Sequence, residues 1–390
     1  MKALGFGITK TGSRNKSPEY SLGKRGEFLE FELPELRGDE VLLENKAAGL
    51  NFNSLWSLHG KPADPFQLLA SMVKNNPGRE EHLRDYQIIG SDCAGVIVEI
   101  GKDVKNWEIG DEVVVHCNVV DSNDPVVAKD ELLSESQAIW GYETNFGAFA
   151  THSIVKAKQL HRRPQHLTWE ESASYMLTLS TAYRMLISEN GAQLKAGETC
   201  LIWGAAGGLG LFAVQIAKMI GAIPIAVVSS DERANACRNY GAEHFLFRNE
   251  MKHQLLTDSG SPNPLAWREI KQKLSRQGLE APDVVFEHVG RETLGASVYL
   301  ARRGGRIVTC AASSGFESVI DLRYLWMQVK RIIGSHIANS DEAMKSNELI
   351  DQQKIHTTVS VVAPFSELSE LIDNFQAGKI VGKAVVSVPN

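Results

Sequence analysis

The twelve residues Thr199-Cys-Leu-Ile-Trp-Gly-Ala-Ala-Gly-Gly-Leu-Gly210 constrain this chain more than any other stretch. A short apolar run ends in a glycine-rich turn, and Leu209, Phe212, Ala213, Ile216, Ala217 and Ile220 then recur at helical spacing. A buried strand feeding an amphipathic helix is half of a βαβ unit. Glycines in such a turn let the backbone approach a pyrophosphate, whose charge is met by free N–H groups and the positive end of the helix dipole. The pattern here is Ala205-x-Gly207-x-x-Gly210, with Gly208 and Leu209 between. It lacks the first of the three usual glycines, so its weight comes from its place between a strand and a helix.

A chain of 390 residues has room for about two domains, each burying its own core. The formal charge of −6 argues against a nucleic-acid partner held by bulk positive charge. Cys93, Cys117, Cys200, Cys237 and Cys310 are scattered, with no C-x-x-C spacing, which fits reduced thiols and a cytoplasmic setting. No signal peptide or membrane span is expected from the apolar pattern.

The part before about Gln165 reads as strand-rich, with Glu30 to Leu33, Glu40 to Glu44, Gly95 to Ile100 and Asp111 to His116 as strands. A short helix is predicted over Pro65 to Lys74. Asp121 to Gln137 reads as an acidic surface loop. Thr168 and Glu171 form a capping box ahead of a helical region from Tyr175 to Ser188. Strands are then predicted at Ala222 to Val228, His244 to Phe247, Asp283 to Glu287, Gly305 to Cys310 and Arg331 to Ile337. Alternating with helices, they specify a parallel doubly wound sheet. In the helix predicted over Asp321 to Val329, the stripe Leu322, Leu325, Trp326 and Val329 reads as core. The tail, with Val359 to Val362 and Lys383 to Val388, returns to β character. The expected division is therefore 1–167 with 346–390 as a β domain and 168–345 as an inserted nucleotide-binding domain, with the active-site cleft between them.

The second strand of the nucleotide unit ends on Ser229 and Ser230, with Arg233 close by, where an NAD-binding unit carries an acidic residue. Hydroxyls and a guanidinium suit a 2′-phosphate, so NADPH is the expected cofactor, with NADH through Asp231 as the alternative.

The domain order, the glycine turn and the lead-in Arg163 to Glu171 resemble the medium-chain dehydrogenase/reductase superfamily. That resemblance implies an α/β chain with a GroES-like, partly closed β domain and a Rossmann domain. Zinc-dependent members take ligands from a cysteine and a Gly-His-Glu motif; the matching stretches here carry Asn51 and Ser91, so no metal is expected. Without metal ligands to polarise an alcohol, reduction of a conjugated C=C bond is the expected chemistry. Ile139 to Gly147, Leu201 to Gly210, Phe286 to His288, Asp321 to Met327 and Gly334 to Asn339 are similar to the crotonyl-CoA carboxylase/reductase family over nearly the whole chain.

The resemblance implies NADPH-dependent hydride transfer to the β-carbon of a 2-enoyl-CoA, followed by attack of the enolate on CO₂ to give an alkylmalonyl-CoA. It places the CO₂ residues at Asn51 or Asn53, Tyr142, Glu143 and His336; Asn53 is preferred because Asn51 falls where zinc relatives carry cysteine. An amide and an imidazole can donate to CO₂ oxygens, and Glu143 can hold an ordered water. Read alone, each residue is ordinary: His336 a core histidine at the end of a buried strand, Glu143 a loop carboxylate, the asparagines turn formers. Glu287 and His288, at the end of a strand of the nucleotide-binding domain, face the cofactor side of the sheet, and structural capping is at least as good a reading. Arg302, Arg303 and Arg323 are candidates for CoA phosphates, with solvated charge as the simpler reading. A homo-oligomer, dimer or tetramer, is expected. The alternatives are a non-carboxylating enoyl-thioester reductase, a quinone or enone reductase, and a nucleotide-binding protein without turnover.

Overall fold

The computed structural model describes residues 1–10 and 26–389. The chain forms two compact units, one running from Met1 to Leu177 and resuming at Ala338, the other spanning Thr178–Ile337.

In the first unit, the strands Glu40–Gly49 and Asp92–Ile100 are buried along most of their length, with Val41, Leu43, Ala48, Cys93 and Ile97 in a shared core. A sheet of seven strands carries, in neighbouring order, Asp92–Ile100, Glu40–Gly49, Lys383–Ser387 and Val359–Pro364. Gly49 pairs with Asp92 on one side and Val385 on the other, which brings residues from three remote parts of the chain into one row. A smaller sheet pairs Lys2–Thr9 with Gly26–Glu32 and Tyr86–Ile88. The capping box forms as the sequence indicates, with Glu171 N–H donating to Thr168 Oγ1 at 3.2 Å, but its helix is the single turn Trp169–Ser172.

The 121–137 segment departs from the expected surface loop. Asp130, Glu131, Ser134 and Ser136 are buried. Glu131 accepts from Ser340 N–H at 2.9 Å and from Asn118 Nδ2 at 2.8 Å, and pairs with Lys158 Nζ at 2.6 Å. Its carboxylate thus meets the positive end of the helix Ser340–Asp351. A run of acids marks a surface only when nothing in the fold needs their charge.

The second unit holds a six-stranded parallel sheet ordered His244–Phe247, Ile223–Val228, Thr199–Ile202, Val284–Glu287, Arg306–Thr309 and Arg331–Gly334. Apolar runs such as Thr199–Ile202 are buried on both faces, as parallel strands between helices require. The last strand differs: Arg331, Ile332 and Gly334 are exposed at the sheet edge. The stripe expected as core is also corrected. The helix shortens to Leu322–Trp326, and Leu322, Trp326 and Val329 are 60%, 68% and 64% exposed, while Leu325 alone packs against the core. Helical spacing gives a face its apolar character, not its partner.

Candidate functional site

The first unit gathers four of the proposed residues. The helix Phe52–His59 starts beside the strand end at Gly49, and Asn51 occupies its N-cap position without capping it. The Asn51 side chain is committed elsewhere: its Nδ2 donates to Asp92 Oδ2 at 2.8 Å and its Oδ1 accepts from Lys383 Nζ at 2.6 Å. Lys383 also reaches Asp92 Oδ2 at 3.1 Å and Leu50 O at 3.1 Å, while Leu177 N–H donates to Asp92 Oδ1 at 2.8 Å. Asp92 is 0% exposed and Lys383 2%, so the pair lies wholly out of water. Burial lowers the Lys383 pKa, and Asp92 opposes that shift.

Asn53 lies on the same helix and is freer. Its Nδ2 donates to Ser91 Oγ at 2.8 Å, and its shielded Oδ1 has no hydrogen-bond partner. One turn along, the Trp56 ring lies 6.4 Å from that of Tyr142.

Tyr142 and Glu143 stand on a loop pressed against the segment before Ser91. Gly90 N–H donates to Gly141 O at 3.1 Å, and Ala148 N–H to Gly90 O at 2.9 Å. A Cβ on Gly141, where φ is +68°, would sit 1.8 Å from Gly90 O, and one on Gly147 2.6 Å from it. Only glycine permits that approach. Gln87 Nε2 holds Tyr142 O at 2.7 Å, and fully buried Asn145 accepts from Ile88 N–H at 2.8 Å. Tyr142 donates its hydroxyl to Lys61 O at 2.9 Å. Glu143 Oε2 accepts from Ile139 N–H at 2.8 Å, and burial raises its pKa above the ordinary carboxylate value. Trp140, buried, donates to Phe146 O at 3.1 Å and belongs to the packing.

His336 lies in the second unit, two residues past the exposed edge strand and not in a buried one. Its side chain is exposed in accessible area. The atoms around it still strip enough hydration to lower its pKa, and the Arg184 charge adds to this, favouring the neutral imidazole.

The glycine turn of the second unit fits a dinucleotide. Gly204 takes φ of +56°, and a Cβ there would meet the His288 ring at 2.9 Å. A Cβ on Gly210 would lie 2.4 Å from Gly204 O. Gly207 caps the helix Gly208–Ile220 with no side chain, which leaves the first N–H groups of Gly208, Leu209 and Gly210 to a phosphate. Ala205 is buried behind the turn. Ser229 and Ser230 follow the strand Ile223–Val228, and Ser230 Oγ accepts from Arg233 N–H at 3.4 Å as the N-cap of Asp231–Asn239. Glu287 is a cap: it accepts from Val289 and Gly290 N–H and from the Thr293 and Ser297 hydroxyls, at 2.7 to 2.9 Å. His288 Nε2 donates to Trp203 O at 2.8 Å. Arg302 pairs with Asp283, Arg303 donates to Met327 O and Arg323 pairs with Asp321, so each has a structural partner.

Asp92, Lys383 and Asn145 leave no signal in the sequence beyond a polar residue in an apolar strand or loop. Ser91 stands out there only as the residue in place of a zinc ligand. The residues at the zinc positions do not fit the metal: the Asn51 oxygen already faces an ammonium group, and a cation there would be repelled. Among the described residues no three His, Cys, Asp or Glu side chains converge.

Residues 37–165 match the alcohol dehydrogenase GroES-like domain and residues 208–352 the zinc-binding dehydrogenase domain. A GroES-like unit joined to a parallel nucleotide-binding unit defines a medium-chain dehydrogenase/reductase. The chain is 45% identical over 359 residues to crotonyl-CoA reductase of Streptomyces collinus, covering 92% of this chain and 79% of that protein. It is 38% identical over 346 residues to crotonyl-CoA carboxylase/reductase of Cereibacter sphaeroides, covering 86% and 77%. The structure of the 2-octenoyl-CoA carboxylase reductase CinF with NADP and 2-octenoyl-CoA superposes with a TM-score of 0.95 at 38% identity, over 99% of this chain and 88% of that one. The chain belongs to the crotonyl-CoA carboxylase/reductase family.

Proposed function

We infer that this protein catalyses NADPH-dependent reductive carboxylation of a 2-enoyl-CoA thioester. Family membership at up to 45% identity carries the reading, and the glycine turn and the polar loop of the first unit support it. When bound, NADPH supplies the hydride for the β-carbon. The α-carbon of the resulting enolate then uses its electron pair to bond the carbon of CO₂, one C=O π pair moves to oxygen, and a carboxylate results.

CO₂ is uncharged and offers only acceptors, so the residues around it must be donors that act as charge develops on its oxygens. Asn53 has an amide for this, whereas Asn51 is held between Asp92 and Lys383. Neutral His336 can donate one N–H. Glu143 can hold a water, and Tyr142, fixed to Lys61 O, can exclude bulk water from the enolate. Ser229, Ser230 and Arg233 suit the 2′-phosphate.

The test is to supply NADPH and crotonyl-CoA, with and without bicarbonate, and identify products by mass. Ethylmalonyl-CoA is expected; butyryl-CoA alone at saturating CO₂ would overturn the reading in favour of a simple reductase. His336→Asn should shift product toward butyryl-CoA while hydride transfer stays measurable. If both products fall in strict proportion, His336 has no particular role with CO₂.

The exposed edge strand Arg331–Gly334, which includes Ile332, and the exposed Leu322, Trp326 and Val329 just before it in sequence form a surface that a second copy of the chain would cover. A homo-oligomer is the proposed state, and light scattering that returned a single-chain mass would contradict it.

A further inference from the structure

We propose that Ser91 is the positioning residue that decides between carboxylation and simple reduction, by turning the Asn53 amide so that both of its N–H bonds face the reacting CO₂. The proposal rests on the reading of Asn53 given above and goes beyond it by assigning a role to a residue that touches neither substrate nor cofactor in that reading.

Ser91 is a fixed point. It is 0% exposed. On one side, Gly90 is tied to the Gly141 and Ala148 backbone. On the other, Asp92 has both oxygens engaged, one by Leu177 N–H and one by Asn51 and the Lys383 ammonium. Moving the Ser91 backbone would break a buried ion pair and leave a charge out of water without its partner, which is strongly destabilising. The Asp92–Lys383–Asn51 cluster therefore anchors the strand end from which Ser91 projects.

The hydroxyl at that fixed point can accept or donate. When Asn53 Nδ2 donates to Ser91 Oγ, the Asn53 Oδ1 is left shielded and unpartnered. A buried acceptor without a donor is destabilising, because its lost hydration is not replaced. With the amide turned over, the Ser91 hydroxyl donates to Oδ1, and Nδ2 takes the shielded position on the side away from Ser91, where its two N–H bonds lack partners until an acceptor enters. An acceptor-only molecule such as CO₂ needs this arrangement, because an amide oxygen aimed at it would repel the charge growing on its oxygens. Protonation of the enolate places no charge there. Ser91 thus acts on the partition between the two outcomes more than on hydride transfer.

The experiment compares Ser91→Ala, Ser91→Cys and Asn53→Ala with the unaltered protein, using crotonyl-CoA, NADPH and a bicarbonate series. The readouts are the ethylmalonyl-CoA to butyryl-CoA ratio, the apparent KM for CO₂, the NADPH oxidation rate and the melting temperature. Cysteine nearly keeps the serine volume but hydrogen-bonds weakly, so it separates the hydroxyl from packing. In both Ser91 variants the product ratio should fall roughly tenfold, the KM for CO₂ should rise, and NADPH oxidation should fall by a smaller factor. If Asn53→Ala lowers the ratio and neither Ser91 variant does, the Ser91 proposal fails while the reading of Asn53 stands. If Asn53→Ala leaves the ratio unchanged, or the unaltered protein makes no ethylmalonyl-CoA, the reading of Asn53 fails and the Ser91 proposal falls with it. A ratio lost only in step with melting temperature and total rate would reduce Ser91 to a structural residue.

Discussion

Two buried carboxylates, one in each unit, are kept in opposite ways. Glu287 in the second unit is 0% exposed, and its oxygens are met by two backbone N–H groups and two hydroxyls, all within ten residues of it in sequence. No cation is among those partners. Asp92 in the first unit is equally buried, yet it takes an ammonium from Lys383, an amide from Asn51 and a backbone N–H from Leu177, which are 291, 41 and 85 residues away. The nucleotide-binding unit satisfies its acid by folding a local turn around it. The first unit uses its acid to tie together three remote segments at the point where Ser91 and Asn53 meet. A local turn can be replaced by another local turn; a three-way tie fixes a geometry that no single segment could hold.

The most direct way to break this contrast is Lys383→Met, which leaves Asp92, like Glu287, without a cation but with fewer donors. Urea unfolding at neutral pH should show a loss of about 3–5 kcal/mol, most of it recovered by adding Asp92→Asn. A loss below about 0.5 kcal/mol would mean that Asp92 does not need its ion pair, and the two carboxylates would be alike.

A smaller effect is expected at Glu143, a third acid in a different situation, with one backbone donor and a pKa raised by burial. A carboxyl whose folded pKa lies above its unfolded value binds its proton more tightly when folded. Stability is therefore lost as pH rises from the ordinary 4.5 through the raised value. Glu143→Gln removes that loss, so its melting temperature relative to the unaltered protein should climb as pH rises above 4.5 and level off once the pH has passed the raised value. A flat difference across that range would show that Glu143 has a partner that offsets its burial.

Much of the second unit could be read directly, because its signals are local. The glycine turn, the helix at 208–220 and the strand ending before Ser229 follow from spacing within about thirty residues. Glu287 as a cap was one of the two readings open, for the same reason. What could not be read there was exposure: Trp326 and Val329 have the spacing of a core stripe and none of its burial. In the first unit the residue types were legible, since Tyr142, Glu143 and the two asparagines stand in long matching strings. Their roles were not, and neither was the burial of Asp130 and Glu131 in a run that looked like surface.

The sequence by itself determined the nucleotide-binding half of this protein, its preference for a phosphorylated dinucleotide as an expectation, and the family to which the chain belongs. Backbone turns, caps and helical faces are written within a few residues, and a family string carries its own identity. Only the tertiary structure gave Asn51 and Asn53 their different partners. That difference depends on Lys383 arriving 332 residues later to engage the first asparagine, and on Ser91 standing opposite the second. Hydrogen-bond partners supplied from so far along the chain leave no periodicity behind, because nothing in the local sequence has to change when a distant strand brings them in.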